Sequence, residues 1–95
     1  MAFIRIVQPL NVTADVYEKV NAQLGVDSNP PPGLLLHCGG EVDGKWQILD
    51  VWESREQARR FYDERLPGAI EAVIGMAPPD PPVSIEYELH TVIRP

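Results

Sequence analysis

The stretch from Gly33 to Ser54 constrains this 95-residue chain most, because it contains two strand-like segments joined by a turn of known geometry. The turn is Asp43-Gly44, the pair that favours a two-residue type I′ hairpin because both central residues need positive φ. Residues at equal distances from such a turn face each other across the two strands. His37 is therefore predicted to lie opposite Asp50, which pairs a histidine with a carboxylate.

The same register predicts an aromatic surface beside that pair. Leu35 is expected opposite Trp52, and Trp46 and Trp52 share a strand face with His37. Gly39-Gly40 lies inside the first hairpin strand, where glycine often marks a β-bulge. A bulge there would change the register between the turn and His37.

The rest of the chain predicts two further strands and two helices. Thr13 is a good N-cap and Gly25 a good C-terminal stop for the first helix. Ser54 and Gln57 form a capping box that opens the second helix. Pro67 predicts a kink, or a helix that restarts about that residue. The predicted elements are a strand over residues 2–8, a helix after 13, the hairpin, a helix from 54 to 75 and a strand over 83–93.

This order, β-α-β-β-α-β, is typical of the ferredoxin-like α+β fold. It predicts a four-stranded antiparallel sheet with both helices on one face, within a single domain over residues 1–95. A chain of this length has a modest core, and domains of this kind often close the second face of the sheet against a partner subunit.

Composition excludes several functional classes. The formal net charge is −6 with mixed signs, whereas nucleic-acid binding normally needs a basic patch, so no nucleic-acid partner is expected. No apolar run approaches a membrane span, and the first residues do not resemble a signal peptide, so no membrane contact is expected.

A single cysteine, Cys38, forms no intrachain disulfide and favours a reducing, cytoplasmic location. It falls on the strand face opposite His37 and is expected to be buried and inert.

The hairpin and the following helix resemble the dimeric α+β barrel superfamily, and most closely its antibiotic biosynthesis monooxygenase-like members. The resemblance is carried by the run Val51-Trp52-Glu53-Ser54 and by Ala58, Phe61, Tyr62 and Leu66 at helical spacing. It covers almost the whole chain and is strongest for small uncharacterised proteins of actinobacterial type. It implies a homodimer whose two sheets form a barrel, with a small pocket between sheet and helices in each subunit.

The superfamily includes cofactor-free monooxygenases, haem-degrading enzymes, polyketide cyclases, lactone isomerases and proteins without known activity, so the fold does not decide the function. Haem-degrading members use an asparagine on the first strand and a tryptophan and a histidine on the second helix. Gln8, Phe61 and Glu71 occupy the corresponding positions in this chain, which argues against that chemistry.

The candidate catalytic residues are His37 and Asp50. A carboxylate beside the imidazole orients it as a general acid or base, whereas the alternative is a polar pair that only satisfies itself in the sheet. The candidate substrate-binding residues are Trp52, Tyr62, Tyr17, Phe61 and Arg5. Each has a structural alternative: aromatic residues at helical spacing are more often part of a core, and Arg5 can form a salt bridge with a carboxylate such as Asp50.

No metal site or cofactor is expected. His90 lies on the last strand, and with His37 it supplies too few ligands at metal-binding spacing. Two hypotheses of equal weight follow. One is a cofactor-independent, monooxygenase-like enzyme that acts on a small aromatic or polyketide-like compound. The other is a non-catalytic homodimer that binds a small ligand or serves a structural role.

Overall fold

A computed structural model describes all residues, 1–95, and has four strands in one antiparallel sheet. The strand order is β2-β3-β1-β4, with the helices on one face, which confirms the predicted ferredoxin-like α+β fold. No helix of the chain has the length and apolar character needed to cross a membrane. The elements are β1 Phe3–Gln8, α1 Ala14–Leu24, β2 Leu34–Val42, β3 Lys45–Trp52, α2 Arg55–Arg60, a π-helical turn Phe61–Arg65, α3 Leu66–Ile74 and β4 Val83–Glu88.

The predicted helix boundaries are confirmed by their capping interactions. Thr13 accepts the backbone N–H of Val16 at the start of α1, and Gly25 ends that helix in the left-handed region with φ 67°. At α2 the Ser54 hydroxyl accepts the Gln57 N–H at 3.3 Å and donates to the Gln57 side-chain oxygen at 2.9 Å. The glutamine therefore reaches back to the hydroxyl of the capping residue.

The hairpin register around the turn is confirmed. Asp43 and Gly44 have φ of 50° and 78°, as a type I′ turn requires, and His37 pairs with Asp50. The prediction of a bulge at Gly39-Gly40 is wrong, because the register shifts between Leu34 and Leu36 instead. Leu34 rather than Leu35 therefore lies opposite Trp52, and the shift falls beyond His37 as seen from the turn.

The second helix restarts near Pro67, as predicted, but through a π-helical turn. The Leu66 N–H donates to the carbonyl of Phe61, five residues earlier, and Pro67 has no N–H to continue an α-helical ladder. The turn brings the consecutive residues Phe61 and Tyr62 into contact with the same indole ring, that of Trp52.

The last strand is shorter than predicted. It ends at Glu88 rather than at residue 93, because its partner β1 begins at Phe3, which is the residue that pairs with Glu88. One further hydrogen bond, from Leu89 N–H to the Ala2 carbonyl, continues beyond the strand. His90 is therefore outside the sheet.

The two faces of the sheet differ in burial. The helix-side core is a small cluster of Phe3, Trp52, Ala58 and Phe61. The other face carries two apolar rows that cross all four strands, Leu36–Val51–Ile4–Tyr87 and Cys38–Leu49–Ile6–Ile85. Leu36, Ile85 and Tyr87 are each about half exposed, so no element of this chain covers that face. Cys38 lies on the face opposite His37, as predicted, but it is exposed rather than buried.

Candidate functional site

A row of ionisable side chains crosses the helix-facing side of the sheet. The strand pairings place His37, Asp50, Arg5 and Glu86 side by side on the four strands, from one edge to the other. Strand alternation puts this row between the apolar pair Phe3 and Trp52 on one side and the end of the hairpin on the other. His37 stands at the β2 edge, where the sheet is open to solvent.

The predicted pair of His37 and Asp50 is in direct contact. Imidazole Nδ1 and carboxylate Oδ1 are 2.5 Å apart, and the Asp50 side chain is only 8% exposed, against 27% for the histidine side chain. An ionised carboxylate can only accept hydrogen bonds, so Nδ1 carries the proton of this bond. The carboxylate therefore orients the ring and leaves Nε2 as its second functional atom.

The second carboxylate oxygen of Asp50 is held by a polar relay of two hydrogen bonds, formed by Tyr62 and Trp52. The Tyr62 hydroxyl donates to Oδ2 at 2.7 Å and accepts the indole N–H of Trp52 at 2.9 Å. Burial, followed by the nearby negative charge of Asp50, raises the pKa of Tyr62 far above its usual value. The phenol therefore stays neutral and remains a donor to the carboxylate.

Tyr17 completes the network from α1. Its hydroxyl oxygen lies 2.5 Å from His37 Nε2, and the two rings stack with an interplanar angle of 8°. Burial raises the pKa of this tyrosine, and its neighbour Asn21 partly offsets the effect. A Cβ at Gly39 would lie 2.6 Å from the Tyr17 ring, so glycine on β2 is what lets the phenol reach the imidazole.

Arg5 pairs with Glu86 rather than with Asp50. Its Nε lies 3.3 Å from a Glu86 oxygen, while Arg59 approaches the other oxygen of the same carboxylate at 2.5 Å. The guanidinium carbon also lies 4.0 Å from the centre of the Tyr62 ring, within reach of a cation–π contact. Arg5 thus contacts the Tyr62 ring and forms a salt bridge with Glu86, whereas the sequence suggested a carboxylate such as Asp50.

The predicted aromatic residues divide into two groups. Trp52 is fully buried and Phe61 is 8% exposed, and both belong to the core cluster below the network. Tyr17 and Tyr62 are partly exposed and touch the two ends of the His37–Asp50 pair. The two tyrosines and His37 are therefore partly exposed members of the network, whereas Trp52 and Phe61 are core residues.

One aromatic residue contacts the network although it is not among the substrate-binding residues predicted from the sequence. Trp46, on β3, packs against Tyr17 with ring centres 5.1 Å apart. The bond between Tyr17 and His37 also joins residues that are distant in sequence, and it was not predicted. The only local signal for it was a glycine at position 39, inside a strand and on the same face as His37.

Two surface cavities lie away from the network, and no metal cluster accompanies it. One cavity lies between the proline segment and the second helical region and is lined by Pro31, Pro32 and Arg60. The other lies between α1 and α3. Neither is lined by His37 or Asp50, and no group of three or more histidine, cysteine or acidic side chains is arranged to hold a metal ion.

Comparison with solved structures finds the same fold in several small bacterial proteins. A dimeric ferredoxin-like protein of unknown function from Thermobifida fusca is 20% identical, with a TM-score of 0.62 over 94% of this chain and 92% of that one. A protein from Chloroflexus aurantiacus, provisionally named an antibiotic biosynthesis monooxygenase, is 14% identical, with a TM-score of 0.60 over 98% and 95%. A variant of SnoaB, a cofactor-independent oxygenase from Streptomyces nogalater, is 12% identical, with a TM-score of 0.57 over 97% and 94%.

No protein-family model and no curated protein matches the sequence. At these identities the likeness describes the arrangement of the backbone and not the chemistry. The chain has the ferredoxin-like fold that dimeric ferredoxin-like and antibiotic biosynthesis monooxygenase-like proteins share.

Proposed function

We propose that this protein is a cofactor-independent, monooxygenase-like enzyme that acts on a small aromatic or polyketide-like compound. The observation that carries the proposal is the contact between His37 and Asp50, because it joins a partly exposed imidazole to a buried, fully hydrogen-bonded carboxylate. Such a pair is suited to general acid–base catalysis, since the carboxylate fixes the ring and stabilises the imidazolium that forms. The fold is shared with SnoaB, itself a cofactor-independent oxygenase, and is therefore compatible with the same class of reaction.

The proposed reaction begins with removal of a proton from the substrate. His37 takes up that proton, and Asp50 balances the positive charge on the ring. The electron-rich anion left on the substrate then passes electrons to dioxygen, so the protein needs only to supply a base, an orientation and a surface sheltered from water. The partly exposed ring of Tyr17 contacts both His37 and Trp46, and the Tyr17 and Trp46 rings can stack on a flat aromatic substrate.

We further propose that the protein is a homodimer in a reducing, cytoplasmic environment. The uncovered sheet face carries two apolar rows, with Leu36, Ile85 and Tyr87 about half exposed, and contiguous apolar patches of this kind mark association surfaces. A second copy of the chain offers the same rows, as a two-fold interface requires. The single cysteine lies free on this face.

A non-catalytic homodimer is the second candidate, and a specific observation favours it. Every hydrogen-bonding atom of the Asp50 carboxylate already has a partner within the chain, and the two described cavities are not lined by His37. A network that satisfies itself can also serve to stabilise a fold or a binding surface.

Oxygen uptake with anthrone separates the two candidates. Anthrone is a tricyclic aromatic ketone with an acidic enol, and its oxidation to anthraquinone is followed by absorbance together with an oxygen electrode. We expect His37→Gln to lower the rate by about 100- to 10,000-fold, the usual contribution of a general base. His90→Gln is the matched control, because His90 is exposed and outside the sheet.

Two results would decide against catalysis. A wild-type rate equal to that of buffer, with anthrone and with a dihydroxynaphthalene, would remove the oxygenase proposal. Equal loss of rate in His37→Gln and His90→Gln would show that neither histidine is the specific base. Binding of anthraquinone by calorimetry without any oxygen uptake would then support the ligand-binding candidate.

A further inference from the structure

We propose that Tyr17, and not His37, is the residue that exchanges the proton with the substrate, and that the substrate presents an acidic hydroxyl, a phenol or an enol. This inference rests on the proposed function, because it places Tyr17 between the substrate and the base of that reaction. It makes Tyr17 the catalytic residue in contact with the substrate, and His37 the proton acceptor behind it.

The argument starts from the two nitrogen atoms of His37, both of which are occupied. Nδ1 lies 2.5 Å from Asp50 Oδ1, and Nε2 lies 2.5 Å from the Tyr17 hydroxyl. If the ring is neutral, Nε2 accepts the Tyr17 proton; if the ring is protonated, Nε2 donates to the same oxygen. In both states the imidazole reaches a substrate only through the hydroxyl of Tyr17.

Tyr17 is placed to pass a proton on rather than to hold a charge. Burial raises its pKa, so the phenol keeps its proton before the substrate arrives. In the proposed step the substrate O–H bond breaks and its proton forms a new O–H bond on the Tyr17 oxygen. The original Tyr17 proton moves to Nε2, giving a substrate oxyanion, a neutral tyrosine and an imidazolium paired with the Asp50 carboxylate.

The surroundings of Tyr17 favour an aromatic hydroxyl compound. The Tyr17 ring packs on Trp46 at 5.1 Å and stacks on the His37 ring at 5.6 Å, and all three residues are partly exposed. No carboxylate other than Asp50 hydrogen-bonds to this cluster, and both oxygens of Asp50 point into the network. A flat ring can therefore lie against Tyr17 and Trp46 while its hydroxyl meets the Tyr17 oxygen.

The test uses 4-nitrophenol, because its ionised form is yellow and its neutral form is not. At a pH where the free compound is mostly neutral, we expect the wild-type protein to bind it and to raise the ionised fraction. Tyr17→Phe should still bind the compound but lower the ionised fraction of the bound form by about tenfold. His37→Gln should lose the signal as well, and His90→Gln, at an exposed residue outside the sheet, should retain it.

A second variant tests the contact without removing the hydroxyl. Gly39→Ala places a methyl group 2.8 Å from the Tyr17 oxygen and should displace the phenol from His37, so it should also lower the ionised fraction. Full ionisation by Tyr17→Phe would overturn the proposal and make His37 the direct base, with the oxygenase proposal still standing. No ionisation by wild-type protein that consumes oxygen with anthrone would overturn it too, again without removing the oxygenase proposal.

Discussion

Replacing Gly39 with alanine adds a methyl group in the space that the Tyr17 ring occupies. The new Cβ would lie 2.6 Å from Cζ, 2.8 Å from the hydroxyl oxygen and 2.9 Å from Cε1. Carbon atoms in contact prefer about 3.5–4.0 Å, so the ring has to move by about 1 Å. A movement of that size, directed away from β2, stretches the 2.5 Å bond to His37 beyond the range of a good hydrogen bond.

Three effects determine the change in the free energy of unfolding, two of them destabilising and one stabilising. Overpacking at a close contact destabilises by about 1–3 kcal/mol, and loss of the Tyr17–His37 hydrogen bond adds about 1 kcal/mol. Replacing a strand glycine by alanine stabilises by about 0.5–1 kcal/mol, because the unfolded chain loses conformational freedom. Gly40 provides the matched control, since a Cβ there meets no atom within 4 Å.

The glycine-to-alanine gain is common to both variants and cancels, so we expect Gly39→Ala to be less stable than Gly40→Ala by about 2–4 kcal/mol. For a domain of this size each kcal/mol changes the melting temperature by about 4–8 °C, so the two variants should melt at least about 8 °C apart. The assay is thermal unfolding followed by circular dichroism at equal protein concentration, with the imidazole resonances of His37 and His90 recorded by NMR. Equal melting temperatures and an unchanged His37 resonance would refute the reasoning, because they would mean that Tyr17 does not pack against Gly39.

Three further predictions follow from the network and the open sheet face. Tyr62→Phe leaves the Trp52 N–H and Asp50 Oδ2 without partners and should destabilise by about 1–3 kcal/mol in urea unfolding; an unchanged midpoint would contradict the relay. Because the pKa of Tyr62 is raised in the folded state, the folded protein keeps a proton that the unfolded chain releases above about pH 10. Tyr62 therefore makes its full contribution to the free energy of unfolding below about pH 10, and this free energy falls as the pH rises further. The fall due to Tyr62 has a slope of up to about 1.4 kcal/mol per pH unit, and Tyr62→Phe should flatten the curve; identical curves would contradict the assigned burial. Ile85→Lys on the open face should convert the proposed dimer to a monomer in light scattering at micromolar concentration, whereas Ile93→Lys in the exposed tail should not, and a wild-type monomer would end the dimer proposal.

Local signals predicted much of the backbone because they act within a few residues. The Asp43-Gly44 turn determines the hairpin register by its own φ values, and it correctly predicted that His37 faces Asp50. Thr13 and Ser54 begin helices through bonds to residues three positions later. Such features need no knowledge of the rest of the fold, so the order of the strands and helices followed from the sequence.

The errors fall where the deciding partner is distant in sequence. The bulge lies near Leu35 rather than at Gly39, because the glycine accommodates an aromatic ring from α1 and leaves the ladder regular. The last strand ends at Glu88 because β1 has no further residue to pair with it. In both cases the strand's own residues are compatible with either outcome.

The sequence by itself determined the fold class, the hairpin register and the pair of His37 and Asp50, since period-two alternation and turn chemistry act along the strand. Only the tertiary structure decided what surrounds that pair. It brought Tyr17 to Nε2 from α1 and Tyr62 to the carboxylate through the π-helical turn, and it buried Trp52 beneath them. The physical reason is that these contacts depend on how the helices pack across the sheet, which no local pattern in the chain specifies.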